Sequence, residues 1–107
     1  MTAQAALMPG LERIRARFLD MLVDRLTELE TLCEEPSANS LRQSQHILHK
    51  IAGSAGTLGL QDLGETARVC ETRIIEFLDS GTAELSQVYR SLGDFAEIAE
   101  ELLTEDS

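Results

Sequence analysis

Residues 11–35 read LERIRARFLDMLVDRLTELETLCEE and contain neither glycine nor proline. Apolar side chains recur in this stretch at steps of three and four residues, which is the spacing that places them on one face of an α-helix. They are Leu11, Ile14, Phe18, Leu22, Leu26, Leu29 and Cys33. The pattern predicts a long amphipathic helix whose apolar face packs into a core.

A proline separates this helix from the next one. Pro36 disfavours helical backbone at the residue before it, and Ser37, Asn39 or Ser40 can cap a second helix by accepting a bond from a free backbone N–H. The second helix again carries its apolar residues on one face.

Two more amphipathic segments follow. The first opens at Asp62, with Glu65 completing a loose capping box, and stops near Gly81. Thr82 can cap the last one. Connections of about two to six residues make neighbouring helices antiparallel, so we predict an all-α fold, an antiparallel up-down-up-down four-helix bundle. The predicted helices span residues 10–35, 38–57, 62–80 and 83–104.

Length, charge and cysteine content exclude several classes of protein. The 107 residues allow one domain, residues 1–107, and a frayed end or a short lid both fit residues 1–9. Nineteen acidic against nine basic residues give a formal charge of −10, which disfavours binding to nucleic acid and to anionic membranes. No apolar run reaches the ~18 to 20 residues of a membrane span, and no signal peptide is recognisable. Cys33 and Cys70 match no zinc or disulfide pattern, so we expect core thiols and a cytoplasmic location.

The second helix departs from an ordinary bundle helix at His49. At 100° per residue its apolar side chains fall within an arc of about 80°, and His49 lies roughly 140° from the centre of that arc. We therefore predict that His49 faces solvent, with Gly53 and Gly56 on the same outer stripe. The turns before it carry Arg42, Gln45 and His46.

The two glycines beside this histidine need a physical reason. Each glycine inside a helix costs about 0.8–1 kcal/mol relative to alanine. Either the missing side chains let another surface reach the ring, or the glycines fray the helix end or admit a neighbouring helix. The sequence leaves both interpretations open.

Charge is distributed unevenly around the same histidine. No Asp or Glu occurs from Pro36 to Gln61, while the rest of the chain holds all nineteen. This window contains His49 and Lys50 and is the region that favours an incoming phosphoryl group. A neutral imidazole nitrogen is a competent nucleophile toward phosphorus, so the window predicts a phosphoryl acceptor.

Residues 49–60, HKIAGSAGTLGL, followed by Leu63 and the pair Cys70-Glu71, resemble the signature of histidine-containing phosphotransfer (HPt) domains. The shared pattern is a histidine, a glycine four residues later, a small pair, and a second glycine at ten followed by a leucine. The resemblance implies a four-helix bundle whose histidine takes a phosphoryl group from an aspartate of one receiver domain and passes it to another.

The resemblance also implies roles for particular residues. His49 corresponds to the phosphoacceptor, through its Nε2 atom, and Gly53 to the small residue that gives a receiver access. Family members commonly carry a lysine three residues after the histidine, whereas this sequence has Ala52 there and Lys50 directly after the histidine. Several residues remain candidates for stabilising the phosphoryl group or for access: Lys50, Gly56, Gln45, Arg42 and His46.

The partners implied are response-regulator receiver domains or a hybrid histidine kinase, with magnesium on the receiver and no cofactor or metal on this chain. Without a glycine-rich nucleotide loop, we expect no independent kinase activity. A metal site at His46 and His49 is disfavoured because the carboxylates of a typical bundle metal site are missing. We expect a monomer, since the bundle already uses the apolar stripe of the first helix. The main alternative is a non-catalytic adaptor, a degenerate HPt domain that docks receivers without carrying phosphate.

Overall fold

Four helices account for most of residues 9–105, the part of the chain that the computed structural model describes, and no strand occurs among them. The helices are α1 (Pro9–Glu34), α2 (Ala38–Thr57), α3 (Gln61–Ile75) and α4 (Leu85–Glu105). Each packs against the next, and α4 closes the arrangement against α1. The predicted all-α four-helix bundle is confirmed. Apart from Pro9, the N-terminal segment for which a lid or frayed end was predicted lies outside the described residues.

Both ends of α2 are fixed by short local motifs. Ser37 and Ser40 form a reciprocal capping box, in which the Ser40 N–H donates to Ser37 Oγ at 3.0 Å and the Ser37 N–H donates to Ser40 Oγ at 2.8 Å. At the other end Gly59 adopts a left-handed backbone with φ +75°, and the Leu60 N–H donates to the Ala55 carbonyl at 2.9 Å. The cap predicted among Ser37, Asn39 and Ser40 is therefore Ser37.

The predicted starts of the last two helices are wrong by one or two residues. The turn at Gly59 leads directly into α3, so the N-cap residue is Leu60 and not Asp62. In the described structure no side chain caps this end of the helix. The helix α4 begins at Leu85 instead of directly after Thr82. There the Gln87 side chain accepts a bond from the Glu84 N–H at 2.7 Å.

A π-helical turn extends α3. It spans Glu76–Ser80 and ends at Gly81, whose backbone is left-handed with φ +65°. A π-turn closes its backbone hydrogen bonds over five residues instead of four, which changes the rotation of the side chains that follow. Asp79 lies within this turn and pairs with Arg42 of α2.

The core draws on all four helices, but α1 enters it later than predicted. Leu11 and Ile14 are exposed, Ile14 by 58%, whereas Phe18 and Leu22 are buried. The reason is length: α1 has 26 residues and α2 has 20, so at 1.5 Å per residue α1 projects about 9 Å past the end of α2. No helix within residues 9–105 is long and apolar enough to cross a membrane. The largest fully buried side chains are Phe95, Leu22, Leu48, Leu63, Ile74, Val88, Cys70 and Ser44.

The buried thiol of Cys70 makes the free energy of unfolding depend on pH in the alkaline range. Burial raises the pKa of Cys70 from its ordinary value of 9.0 to about 11. The folded state binds the thiol proton more tightly than the unfolded state does. The stabilisation that results from this difference is complete below pH 9 and is lost as the pH rises toward 11. We expect the free energy of unfolding, measured in urea, to fall between pH 9 and 11. The fall should be smaller in Cys70→Ala, and equal slopes in the two proteins would contradict the assignment.

Candidate functional site

The structure places His49 on the outer face of α2, where the helical wheel predicts it. Its side chain is 71% exposed, while Leu48 and Ile51 beside it are buried. These two apolar anchors fix the rotation of α2 about its axis. The imidazole therefore stands at the surface on a backbone held by the core.

Gly53 and Gly56 clear the surface next to this ring. Both lie inside α2 and are exposed, and a β-carbon added at either one would meet no described atom within 4 Å. No neighbouring helix closes on Gly53, whereas α3 approaches the backbone of Gly56, whose nitrogen would lie 3.6 Å from a β-carbon at Gly64. Gly59 rather than Gly53 ends the helix. Of the interpretations that the sequence left open, open access to the ring is the one that this geometry favours at Gly53.

The carboxylate of Glu71 orients the imidazole. Glu71 lies on α3, which packs closely on α2 at Gly64, where a β-carbon would lie 3.5 Å from the Ala52 carbonyl oxygen. Two helical turns later, Glu71 Oε2 lies 2.9 Å from Nδ1 of His49. The Glu71 side chain is only 13% exposed, so this contact is partly shielded from water.

This contact selects one tautomer of the ring. An ionised carboxylate can only accept hydrogen bonds, so Nδ1 carries the proton and donates it to Glu71. The lone pair of the neutral ring is then on Nε2, which makes no hydrogen bond with any described residue. When the ring is neutral, His49 thus presents the lone pair of Nε2 beside a cleared surface.

Gln45 and Arg42 lie one and two turns before His49 and are directed toward α3. Gln45 Nε2 donates to Glu71 Oε2 at 3.1 Å, and Arg42 Nη1 donates to Gln45 Oε1 at 3.2 Å. Arg42 also pairs with Asp79 at 2.6 Å; their hydrogen bond raises the pKa of the guanidinium and lowers that of the carboxyl. Both candidate residues are therefore engaged in contacts behind the ring.

The remaining candidates lie on the other side of His49. His46 and Lys50 are exposed and line a groove between α1 and α2, whose wall on α1 includes Met21 and Glu28. Lys50 is the only lysine of the chain, and it makes no ion pair with any described residue. The structure thus separates the candidates into a set that reaches α3 and a set that borders this groove.

Sequence reasoning missed the roles of Glu71 and Asp79. The acid-free window lies on one helix, and the carboxylates that complete the site come from α3. The sequence pattern includes Glu71 after Cys70 but does not indicate its role, because only the packing of two helices brings Glu71 to His49. Ala52, at the position of the common lysine, is buried. Within the described residues no three His, Cys, Asp or Glu side chains are grouped to hold a metal ion.

A comparison with protein families gives a match that covers most of the chain. The family model described as the Hpt domain matches residues 13–104, and the chain belongs to this family. Hpt domains act in phosphorelays as carriers of phosphoryl groups on histidine, and they interact with receiver domains and histidine kinases. Comparisons with curated proteins and with solved structures give no significant match.

Proposed function

We propose that this chain is a phosphorelay intermediate. In this proposal His49 accepts a phosphoryl group from the phospho-aspartate of one receiver domain and passes it to another receiver. The observation that carries the proposal is the exposed ring of His49, held through Nδ1 by Glu71 so that Nε2 faces solvent beside Gly53.

The reaction needs little from this chain beyond a positioned nucleophile. Nε2 attacks phosphorus, the P–O bond of the acyl phosphate breaks as the N–P bond forms, and the electron pair returns to the aspartate carboxylate of the donor. Nδ1 keeps its proton, so the phosphorylated ring carries a positive charge that the Glu71 carboxylate stabilises through a charge-assisted hydrogen bond. Phosphoryl transfer depends mainly on positioning and charge neutralisation. We assign the metal ion and further cationic groups to the receiver.

The experiment that tests the proposal follows the phosphoryl group in both directions. Phosphorylated receiver domains are incubated with the chain, and the modified residue is mapped by mass spectrometry under alkaline conditions, because phosphohistidine is labile to acid and stable to base. We expect acid-labile phosphate on His49 and its return to an unphosphorylated receiver. Binding of receivers without any transfer would overturn the proposal in favour of a docking adaptor.

Replacing Gly53 by alanine is expected to separate stability from access. The added methyl group meets no described atom, so the helix gains up to about 1 kcal/mol in the free energy of unfolding. The same methyl group occupies the cleared surface and should slow transfer from a receiver. Urea unfolding and the rate of phosphoryl transfer measure the two effects.

The chain offers a matched control for this prediction. Gly93 is also an exposed glycine inside a helix, and a β-carbon there likewise meets no described atom. Gly93→Ala should stabilise the protein by a similar amount and leave transfer unchanged. If Gly53→Ala destabilises the fold while transfer stays normal, Gly53 serves packing rather than access.

Replacing Lys50 by alanine is expected to slow transfer roughly two- to fivefold, the effect of about 0.5–1 kcal/mol that is typical of an exposed charge. Lys50 lies next to His49 and forms no ion pair with any described residue, so it can attract the phosphoryl oxygens without first breaking such a pair. His49 should still be fully phosphorylated at long times. Arg90→Ala, which removes an exposed cation on α4, is the control, and equal rates in both variants would remove Lys50 from the site.

A further inference from the structure

A continuous row of side-chain contacts connects His49 with the end of α3. Behind the bond from Nδ1 to Glu71, Gln45 Nε2 donates to the same carboxylate oxygen at 3.1 Å. Arg42 Nη1 donates to Gln45 Oε1 at 3.2 Å, and Arg42 Nη2 donates to Asp79 Oδ1 at 2.6 Å. The bond between Glu71 and His49 does not by itself explain why hydrogen bonds link three more residues to Glu71 in series.

We propose that Gln45, Arg42 and Asp79, here called the supporting network, are positioning residues that hold the Glu71 carboxylate and thereby fix the tautomer of His49. The consequence for phosphotransfer rests on the proposed function. The effect on the ring does not, because it follows from the hydrogen bonds alone.

The first step of the argument concerns the carboxylate itself. Glu71 has a flexible side chain, and a single bond to an exposed ring does not restrict it to one orientation. The second bond, from Gln45, reaches the same Oε2 atom from the neighbouring turn of α2. The two donors on α2, His49 Nδ1 and Gln45 Nε2, therefore hold this oxygen between them.

The second step concerns the orientation of the Gln45 amide. A carboxamide has one accepting and one donating end, and rotation by 180° exchanges them. In the flipped state Oε1 would face the Glu71 carboxylate and Nε2 would face the Arg42 guanidinium. Acceptor would then meet acceptor and donor would meet donor. Arg42 thus selects the orientation of Gln45 that supports Glu71.

The third step concerns the position of Arg42. Its guanidinium contacts both carboxylate oxygens of Asp79, at 2.6 and 3.4 Å. Asp79 belongs to the π-helical turn Glu76–Ser80 and contacts Arg42 on α2 from there. Without Asp79, the Arg42 cation is free to leave Gln45 or to pair with Glu71 directly, and either movement withdraws support from the bond to His49. The pair is half exposed and adds little stability, so orientation is its main effect.

Nitrogen NMR of the two histidines tests the inference on the intact chain. The 15N shifts of Nδ1 and Nε2 report which nitrogen carries the proton when the ring is neutral, and the sequence has only His46 and His49. His46 is exposed on the same helix and serves as an internal reference. Glu71→Ala defines the end point at which the bond to Nδ1 is lost.

Two variants probe the supporting network, and one is the control. Gln45→Met keeps the approximate size of the side chain and removes both hydrogen bonds, and Asp79→Ala releases Arg42. The control is Glu76→Gln, which removes the acid of another half-exposed ion pair, Arg73 with Glu76 at 2.9 Å, in the same π-turn. Far-UV circular dichroism and urea unfolding verify the fold, and the exposed position of Asp79 keeps that variant informative if Gln45→Met is destabilised.

We expect Gln45→Met and Asp79→Ala to shift the His49 ring away from the Nδ1–H form, toward the Glu71→Ala end point. Glu76→Gln should leave His49 unchanged, and His46 should be unchanged throughout. In the same samples the rate of phosphoryl transfer should fall roughly three- to tenfold in the two network variants. A wild-type tautomer ratio in either variant overturns the inference.

The two readouts distinguish this inference from the proposed function. A tautomer shift together with no transfer to the wild-type chain would retain the supporting network and overturn the carrier role. Normal transfer with an unchanged tautomer in the network variants would retain the carrier role and overturn the supporting network.

Discussion

The His49→Gln variant is expected to accept no phosphoryl group from any receiver domain, while remaining folded. The ring of His49 is 71% exposed, so its replacement leaves the buried core of α2 intact. Glutamine offers no nitrogen lone pair that can attack phosphorus, because the amide nitrogen is not nucleophilic. Transfer of label from a phosphorylated receiver, detected on alkaline gels and by mass spectrometry, measures the loss.

His46→Gln is the matched control for this prediction. His46 lies one turn earlier on α2, is exposed, and lines the groove between α1 and α2. We expect His46→Gln to remain a phosphoryl acceptor, because this variant keeps His49 and its bond to Glu71. The ring of His46, which the variant lacks, makes no such bond. Label on the His49→Gln chain, or its loss from the His46→Gln chain, would show that the acceptor has been assigned to the wrong histidine.

The Glu71→Ala variant is expected to transfer roughly ten- to a hundredfold more slowly than the wild type, the range found when the partner that orients a metal-ligating histidine is removed. Two effects combine: the ring loses its fixed tautomer, and the positive charge of the phosphorylated ring loses its carboxylate. Glu71→Gln should be slowed less, because the amide oxygen still accepts from Nδ1 although the charge is lost. Rapid mixing with a phosphorylated receiver measures these rates.

Glu65→Ala controls for the loss of a carboxylate from α3. Glu65 is exposed on the same helix and makes no hydrogen bond to His49 or Gln45 in the described structure. Its rate should equal that of the wild type. If Glu71→Ala were as fast as Glu65→Ala, the bond between Glu71 and His49 would have no role in transfer.

The sequence predicts the parts of this molecule that depend on one helix at a time. The spacing of apolar residues on α2 predicts an outward-facing His49, since a wheel needs only the rotation per residue. The cap at Ser37 is equally local. Burial of Leu11 and Ile14 was predicted from the same spacing and is wrong, because periodicity does not show how far the neighbouring helix extends.

The rest of the site depends on distances between helices. Glu71 reaches His49 across 22 positions of the sequence, and Asp79 reaches Arg42 across 37. The second contact is also made from the π-turn, which no local pattern in residues 76–80 indicates. Single-sequence reasoning predicted His49 as the candidate nucleophile and missed Glu71, since an acid is recognisable as a partner only when the packing of both helices is known.

The residues that act on the ring all belong to α2, α3 and the turn that follows it. The helix α4 contributes Val88, Phe95 and Ala99 to the core, and none of its described residues forms a hydrogen bond or ion pair with His49, Glu71 or the supporting network. Under the proposed function, we therefore expect α4 to affect phosphoryl transfer only through its share of the common core. We expect mutations in α4 to change the fraction of molecules that is folded and to leave the transfer rate of each folded molecule unaltered.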